Sequence, residues 1–558
     1  MPVDRRVRPS LTERASRLVA GTSAGCRATA MREEFRRRRA PLHWTNLFGV
    51  VAFACVVVLV VTGFILMFVY TPSSERVTYQ GPYLPLAGAE MSKALQSTLA
   101  ISFELPGGLL VRQAHHWAAL LLPAALILQL VVTYFTGAFR RPRRLSWLLL
   151  FGLLLTALVG GWSGYALPDD MLSGTGLRIV EGIVLGIPVI GTWLSALLFG
   201  GEFPGRIIEN LYPIHVAVVP ALLVVLIALR ARLAYANKPP QFAGAGRSED
   251  VIVGVPLWPN AAVRAGGLFA LVTGGLLLVA ATVTISPIWL YGPSSPGDAS
   301  AGSQPDWYTG FLDGALRLVP PGWEVVWLGR TWTLAILVPL AVVGLYLLAV
   351  AVYPFVEEWI TGDHDDHHIL DRPRNEPTRT GLGVAALVFY GALWGAGSAD
   401  LVATHFHLAV ESVVAAYQVL VVLGPIVAFW LTRRVCLALQ KRDREILLHG
   451  YETGRIVRLP GGEYAEVHGR VEADERYRLA GPVAAHDPDV HPGEDGRLRL
   501  TRRLRGVLSR IYFENRLEPV DVTAGEVAGA GGDGGADGGG QTDDAIARVE
   551  TTQRAGAA

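Results

Sequence analysis

Eight apolar runs constrain this chain most strongly, because each is long enough to cross the bilayer hydrocarbon core of about 30 Å. They cover about 47–70, 109–134, 145–166, 211–233, 266–289, 332–353, 380–397 and 414–436. Hydrophobic residues make up 51% of the chain and charged residues only 17%, which is typical of polytopic membrane proteins. We therefore predict an all-α polytopic membrane protein with eight transmembrane helices, spans one to eight.

A ninth apolar segment, "LRIVEGIVLGIPVIGTWLSALLFGG" (177–201), is interrupted by Arg178, Glu181 and Pro188. These residues make a straight crossing unfavourable. The segment is expected either to lie along the interface as amphipathic helices or to dip into the membrane.

The distribution of basic residues predicts the orientation of the spans. The loops 71–108 and 167–210 hold two basic residues each, whereas the first forty residues hold eleven arginines. Further arginines follow spans two and eight: Arg140, Arg141, Arg143, Arg144, Arg433 and Arg434. Both termini are therefore predicted to be cytoplasmic, and the N-terminal arm has no apolar run long enough for a signal peptide.

Composition divides the chain into five predicted regions. The polar residues after span eight end in "GEVAGAGGDGGADGGGQTDD", a low-complexity segment expected to be disordered. The regions are a basic N-terminal arm (1–42), a bundle of spans one to four (43–240), a region of spans five to eight (241–437), a cytoplasmic tail (438–515) and a disordered tail (516–558).

The cysteine pattern excludes several kinds of site. Cys26, Cys55 and Cys436 lie far apart and form neither a CxxC nor a CxxCH motif. The sequence therefore shows no zinc site, iron–sulfur cluster or covalently attached haem.

Three histidines lie within predicted spans, where ionisable residues usually indicate a function. They are His115, His116 and His215, all near the outer ends of spans two and four. Because these two spans run in the same direction, His115 and His215 are expected at similar depth. Two imidazoles facing each other can supply both axial ligands of a haem iron. The alternative is that each histidine only hydrogen-bonds backbone or water at a helix end.

Five segments, in order, resemble the cytochrome b subunit of the actinobacterial-type cytochrome bc complex. They are "GGLLVRQAHHWAALL", "GYALPDDMLSGTGLRI", "SQPDWY", "HHILDRPRNEPTRT" and "LLHGYETGRIVR". The resemblance extends from about Leu42 to about His468. It implies a haem-binding four-helix bundle formed by spans one to four.

In that family two helices each give one histidine to an outer haem and, fourteen or fifteen residues later, another to an inner haem. Fourteen residues are nearly four helical turns, so both side chains share a face about 21 Å apart. The resemblance assigns His115, His215 and Arg112 to the outer haem. Gly49 and Gly63 are also fourteen residues apart and would let a flat macrocycle approach the backbone, although ordinary small-residue helix packing is equally consistent.

The inner-haem positions lack histidine. Fourteen residues after His115 stands Gln129, and the family's arginine three residues further is Val132. Fifteen residues after His215 stands Arg230, whose guanidinium stays protonated and offers no lone pair, and its neighbour Leu229 has no donor atom. We therefore predict one haem b, at the outer site, and an inner site that is empty of haem.

The resemblance also implies a quinol site on the outer side. "PDWY" matches the family's Pro-Glu-Trp-Tyr element with aspartate in place of glutamate, which makes Asp306 the candidate proton acceptor and Tyr308 its hydrogen-bond partner. Gly164 begins "GYALPDD", which is expected to shape this pocket or simply to end span three. In the second case, Asp169 and Asp170 are expected to be solvated and to have no role in the pocket.

The loop "DHDDHHILDRPRNEPTRT" (363–380) is rich in metal-capable side chains, but their spacing fits no standard metal site. A role at lipid headgroups, at a subunit contact or at an inner quinone site is favoured, and these alternatives stay open.

The implied function is a membrane subunit of a quinol–cytochrome c oxidoreductase in the bacterial plasma membrane, acting on menaquinol. The chain has no Rieske or haem c motif, so a Rieske iron–sulfur subunit and a cytochrome c subunit must be separate partners. A dimeric complex, a supercomplex with a terminal oxidase and contacts with membrane lipids, but none with nucleic acid, are also expected. Two alternatives remain: a non-catalytic assembly or regulatory paralogue, and a two-haem cytochrome b with substitute ligands.

Overall fold

The computed structural model describes residues 33–201, 205–295, 304, 306–479 and 500–514. Within these residues eight helices are long and apolar enough to cross a membrane, as predicted. In chain order the helices are α1 (Trp44–Met67), α2 (Lys93–Phe103), α3 (Gly108–Phe135), α4 (Arg144–Ala166), α5 (Met171–Leu185), α6 (Gly191–Phe199), α7 (Ile207–Ala236), α8 (Leu257–Thr282), α9 (Ile288–Tyr291), α10 (Gly310–Arg317), α11 (Leu334–Thr361), α12 (Pro377–Gly397), α13 (Ala399–Phe406), α14 (Val410–His449), α15 (Ala473–Leu479) and α16 (Leu500–Phe513). The spanning helices are α1, α3, α4, α7, α8, α11, α12 and α14.

Helices α1, α3, α4 and α7 form a bundle. Helix α1 packs along α3, α3 along α4, and α4 along α7. Their shared core is aliphatic and aromatic, and it includes Ala52, Ala118, Leu122, Trp147 and Leu223. Helix α8 packs on the outside of this bundle against α1 and α3. The bundle therefore has an interior lined by four spanning helices.

The second half of the chain packs beside this bundle. Helix α12 lies along α14, and the short α10 packs against α12 and α11. Helix α11 also contacts α4, which joins the two halves. Helix α14 has 40 residues and is therefore about 60 Å long, so it extends well beyond a hydrocarbon core of about 30 Å.

The two ends of the bundle differ chemically. One end, formed by the starts of α3 and α7 and the ends of α1 and α4, carries His115 and His215, and we name it the histidine end. The opposite end carries the loop 136–143 and the loop 362–376, and we name it the arginine end.

Within the described ranges the strands pair in five small two-stranded sheets. The longest is the antiparallel hairpin of β9 and β10, which follows α14 at the arginine end. In chain order the strands are β1 (Arg39–Ala40), β2 (Arg76–Thr78), β3 (Glu90–Ser92), β4 (Gln241–Phe242), β5 (Val255–Pro256), β6 (Glu324–Trp327), β7 (Arg330–Thr333), β8 (Ile369–Leu370), β9 (Tyr451–Arg458) and β10 (Tyr464–Gly469).

Span five lies about seven residues earlier than its hydropathy predicts. Helix α8 ends at Thr282 because the backbone of Val283 is extended. Residues 283–287 are not helical, and the side chain of Gln113 pairs with both backbone groups of Ile285, each at 2.9 Å. Hydropathy does not distinguish this segment from a helix.

Two other segments had no firm prediction from the sequence, and the structure describes part or all of each. The segment 177–201 contains two short helices, α5 and α6, rather than a spanning helix. Residues up to Glu514 include the ordered helix α16, whereas the predicted disordered tail 516–558 and most of the basic arm lie outside the described residues.

Candidate functional site

The imidazole rings of His115 and His215 face each other across the bundle at the histidine end. Their ring centroids are 6.1 Å apart and their planes are inclined by 65°. Imidazole nitrogens bind metals at about 2 Å, so two rings on opposite sides of one metal have centroids about 6 Å apart. The observed separation fits a haem iron held by both rings.

Two hydroxyl groups orient these imidazoles. The Thr62 hydroxyl lies 2.9 Å from His115 Nδ1 and donates its own proton to the Val58 carbonyl, so its oxygen is placed to accept from Nδ1–H. The Ser163 hydroxyl lies 3.1 Å from His215 Nδ1 and donates to the Gly160 carbonyl in the same way. Both arrangements leave Nε2 free to bind a metal. Histidines that bind a metal through one ring nitrogen usually donate the other ring N–H to an acceptor of this kind.

Glycines lie directly against these rings. A Cβ atom at Gly63 would lie 3.1 Å from His115 Cε1, and one at Gly164 would lie 2.6 Å from His215 Cε1. Any larger residue at Gly164 would therefore displace the imidazole. The other predicted glycine, Gly49, lies at the next level down, where its Cβ would be 3.1 Å from Gln129 Nε2.

His215 also has an unusual backbone. It lies within a single π-helical turn, Ile214–Val218, which interrupts α7 between Pro213 and Pro220. Such turns recur at functional sites because they change the direction of a side chain within a continuous helix.

The two histidines line a cavity of about 340 Å³ with mainly apolar walls. Arg112 reaches the same cavity, where it donates a 3.2 Å hydrogen bond to the Ser286 carbonyl. Its Nε is buried and has no hydrogen-bond partner among the described residues. A cavity with two imidazoles and a partly unpaired guanidinium fits a haem with anionic propionate groups.

Asp306, Tyr308 and His116 form a hydrogen-bonded cluster in the wall of this cavity. The Tyr308 hydroxyl donates to Asp306 Oδ2 at 2.9 Å, and His116 Nε2 lies 3.3 Å from both carboxylate oxygens. Burial and the neighbouring Asp306 carboxylate raise the pKa of Tyr308 well above its usual value, so the phenol stays protonated. The Trp307 indole, bonded to the Leu120 carbonyl at 3.3 Å, fixes this segment against α3.

His116 was not predicted as a site residue. It follows His115 directly, and a rotation of about 100° per residue points the two rings in different directions on α3. Its carboxylate partner is 190 residues away in sequence. The adjacent pair "HH" was the available signal, but nothing local indicates its partner.

The expectation that Asp169 and Asp170 are solvated is wrong. They are 6% and 4% exposed, because the segment 169–171 pairs with the backbone of the segment 292–294. Burial raises the pKa of Asp169 to about 6 and also raises the pKa of Asp170. Asp170 accepts a hydrogen bond from the Leu172 amide at the start of α5, which gives it a capping role.

A second cavity of about 430 Å³ lies in the same bundle toward the arginine end. Gly49, Gln129, Val132 and Arg230 line it, and no histidine does among the described residues. Gln129 Oε1 and Arg230 Nε are buried without hydrogen-bond partners in the part of the chain that the structure describes. Leu229 instead has an exposed side chain.

The loop 363–380 contributes to a buried ion-pair network at the arginine end. Arg379 contacts Glu357 at 2.8 Å and Asp371 at 2.6 Å, and Asp371 also contacts Arg140 at 2.9 Å. These cations keep the pKa of Asp371 below its usual value despite its burial. No group of three or more metal-capable side chains is present in the described ranges, and the network accounts structurally for several charged residues of this loop.

Comparisons with known proteins agree with this architecture. A family model described as "Cytochrome b(N-terminal)/b6/petB" matches residues 120–293. The chain is 44% identical over 483 residues to the cytochrome bc1 complex cytochrome b subunit of Streptomyces coelicolor, covering 86% of this chain and 88% of that protein. The corresponding Mycobacterium tuberculosis subunit is 45% identical over 430 residues, covering 77% and 78%.

A solved structure titled "Hyperthermophilic respiratory Complex III" has a similar fold. It superposes with a TM-score of 0.57 at 17% identity, covering 75% of this chain and 98% of that chain. Haem b binding is a property of the cytochrome b family, and the relatives are components of an oxidoreductase complex. This chain belongs to the family of cytochrome b subunits of the cytochrome bc1 complex.

Proposed function

We propose that this chain oxidises quinol, specifically menaquinol, at the histidine end and holds a single haem b there. The observation that carries this proposal is the common cavity that contains His115, His215, Asp306 and Tyr308. A redox cofactor and a proton acceptor must both lie beside a quinol for it to lose electrons and protons together. Candidates for both roles line this cavity.

His115 and His215 would hold the haem iron through Nε2, with Thr62 and Ser163 keeping the rings in position. Arg112 would neutralise a propionate through its unpaired Nε. When bound, the haem supplies a one-electron acceptor inside the membrane.

Asp306 accepts a proton from a quinol hydroxyl in this proposal. The Tyr308 hydroxyl, which stays protonated, keeps the carboxylate oriented through its 2.9 Å hydrogen bond. His116 lies within 3.3 Å of both carboxylate oxygens and is the next group able to take that proton. Oxidation of quinol to quinone releases two protons and two electrons; one electron would pass to a separate Rieske iron–sulfur protein, and a haem held by His115 and His215 would take up the other.

The lower cavity supports an altered electron route. Where the family binds a second haem, this chain presents Gln129 and Arg230, and neither is an imidazole. The two levels are about 21 Å apart along the helix axis, since fourteen residues separate them. Electron transfer across that distance without a second cofactor is expected to be slow, which distinguishes this subunit from a two-haem relative.

The arrangement in the cell follows from the charge distribution. We place the arginine end and both termini in the cytoplasm, because basic loops stay on that side. The histidine end then faces outward, toward a Rieske subunit and a cytochrome c subunit. A dimeric complex, with or without a terminal oxidase, is part of the same proposal.

Stopped-flow mixing of the purified complex with a menaquinol analogue tests the proposal. Wild-type protein should show haem b reduction, and D306N should slow it by about 100-fold or more, the usual contribution of a general base. D306E is the matched control and should retain much of the rate. Unchanged reduction in D306N would reject the role of Asp306.

The alternative is a non-catalytic assembly or regulatory subunit, which the histidine-free lower cavity favours. It predicts that quinol never reduces the haem of the wild-type complex, although the complex assembles. The same stopped-flow experiment therefore separates the two functions.

A further inference from the structure

Helix α16 is attached to the arginine end of the membrane region near its C-terminus. The Thr378 hydroxyl donates a 2.7 Å hydrogen bond to the Tyr512 carbonyl, and the Tyr512 hydroxyl donates to the Glu357 carboxylate. Arg433 donates a 2.7 Å hydrogen bond to the Glu514 carbonyl. These partners belong to α12, α11 and α14, so three spanning helices hold this end of α16.

The attachment places α16 at the level of a membrane surface. Glu357 is four residues from the end of α11, which is about 6 Å along the helix axis, and Thr378 is the second residue of α12. Both therefore lie where spanning helices leave the apolar part of the bilayer. A helix held by them lies beside the headgroup region.

One face of α16 is packed against protein and a different face is apolar and exposed. Ser509 and Tyr512 are buried, at 4% and 8% exposure. Leu504, Val507 and Ile511 are about half exposed, at 49%, 54% and 52%. Their spacing of three and four residues places them on one side of the helix, as a continuous apolar stripe.

Exposed arginines lie next to this stripe. Arg503 and Arg510 are seven residues apart, so they share one side of α16, about 80° around the axis from the apolar stripe. No acidic residue occurs between Leu500 and Phe513. An apolar stripe bordered by cations on a short helix is the pattern of helices that lie in the plane of a membrane.

We propose that α16 is a membrane-surface helix that binds anionic phospholipid. Leu504, Val507 and Ile511 enter the boundary between headgroups and acyl chains, while Arg503 and Arg510 contact lipid phosphates. The contacts of Tyr512 and Glu514 hold the end of the helix against the protein. The helix therefore does not have to associate with the membrane from solution before it contacts lipid. This proposal does not depend on the function of the histidine end.

Spin labels on the full-length protein in nanodiscs of phosphatidylglycerol and phosphatidylcholine test the location. A nitroxide at V507C should be reached by oxygen, which concentrates in lipid, much more than by a water-soluble nickel chelate. A label at G506C, about 130° away from the stripe, should show the opposite preference. Easy access of the chelate to V507C, or exclusion of both reagents by a protein partner, would overturn the proposal.

Hydrogen exchange of the α16 amides tests whether the bound lipid must be anionic. Amides of α16 should exchange at least tenfold more slowly in nanodiscs containing phosphatidylglycerol than in pure phosphatidylcholine. R503Q/R510Q should remove this difference, whereas R455Q/R458Q, with two exposed arginines of β9 changed instead, should keep it. All these positions are exposed, so folding should be unaffected, and an unchanged haem spectrum checks this. Equal exchange in both lipid mixtures would reject anionic lipid as the ligand.

Discussion

At the residue scale, two hydroxyl groups determine how the imidazole rings of His115 and His215 are oriented. The Thr62 and Ser163 hydroxyls lie within hydrogen-bond distance of Nδ1 of the two rings, which leaves Nε2 as the nitrogen available for a metal. Without these contacts each ring could turn and present either nitrogen. This geometry supports the proposal that His115 and His215 are prepositioned to bind a haem iron.

These residues also show what a sequence can reveal at this scale. His115, His215 and Asp306 were predictable because histidine in a span is rare and the surrounding motifs resemble a known family. Thr62 and Ser163 were not, because each contacts a histidine more than fifty residues away in sequence. A hydroxyl within an apolar helix carries no local signal that it supports a ligand.

The lower cavity provides a direct prediction at the residue scale. Gln129 and Arg230 both line it, so Q129H/R230H places two imidazoles inside the same compartment. We expect the haem b content of the purified protein to rise from about one toward two per chain, measured by the pyridine haemochrome assay. The α-band absorbance should increase in the same proportion.

The matched control for this variant is Q129H/L229H. The side chain of Leu229 is 46% exposed and does not line the cavity, so histidine there points elsewhere. Haem content should stay near one per chain. If both double variants behave alike, the residues of the second cavity have been assigned wrongly.

Asp169 provides a pH prediction. Its pKa is about 6 in the folded protein, above the usual value of 3.8, because burial disfavours the charged form. The folded state therefore favours the protonated carboxyl, and the stability it contributes is present below pH 4 and lost as pH rises to about 6. D169N should be more stable than wild type at pH 7, by on the order of 3 kcal/mol at most, and the difference should vanish near pH 4.

Thermal unfolding of the detergent-solubilised protein between pH 4 and pH 7 measures this difference. D250N, which changes a carboxylate whose side chain is 94% exposed, serves as the control and should show no comparable dependence on pH. A constant difference between D169N and wild type across the range would contradict the assignment.

At the element scale, α4 positions the cluster of Asp306, Tyr308 and His116 through Gly161. A Cβ at Gly161 would contact the Tyr308 hydroxyl and ring, including a carbon 2.5 Å away, which is too close for the ring to stay in place. G161A should therefore displace Tyr308 from Asp306. We expect the KM for quinol to rise about tenfold or more, because one contact in the site is disrupted. Haem b should be retained.

Gly152 in the same helix supplies the control. A Cβ there would lie 3.7 Å from the nearest side chain, which is an ordinary contact, so G152A should leave quinol oxidation unchanged. Steady-state kinetics of both variants distinguish a local clash from a general effect on α4. Loss of activity in G152A as well would show that helix packing, not Tyr308, is affected.

Hydropathy predicted most of the elements because spanning helices must satisfy their own backbone hydrogen bonds and expose apolar side chains. It was wrong at the end of α8, where an apolar but extended segment pairs with Gln113. It also did not predict the π-turn that carries His215 between Pro213 and Pro220, since hydropathy follows side-chain polarity and not the pattern of backbone hydrogen bonds.

At the scale of the whole molecule, the bundle contains two cavities stacked along its axis. Val56, Leu122 and Leu223 contribute to the walls of both and therefore lie between them. The upper cavity contains two imidazoles, an arginine and a hydrogen-bonded carboxylate, and the lower contains an amide and an arginine without partners among the described residues. The four helices continue through both levels, whereas among the described residues imidazoles line only the upper cavity.

The family could be predicted from sequence because five motifs occur in the family's order. The family's spacing of fourteen residues between outer and inner haem ligands then identified the inner-site positions of this chain. What the sequence could not show is whether the lower compartment is a cavity when Gln129 and Arg230 line it. That depends on packing among α1, α3, α4 and α7, where Gly49 and Gln129 now adjoin.

Haem stoichiometry of the purified wild-type protein, together with its reduced-minus-oxidised spectrum, tests the central claim most directly. We predict one haem b per chain, with a spectrum that titrates as a single species and is lost in H115A and H215A. Two haems per chain, or a b-type spectrum that survives in both histidine variants, would contradict the account.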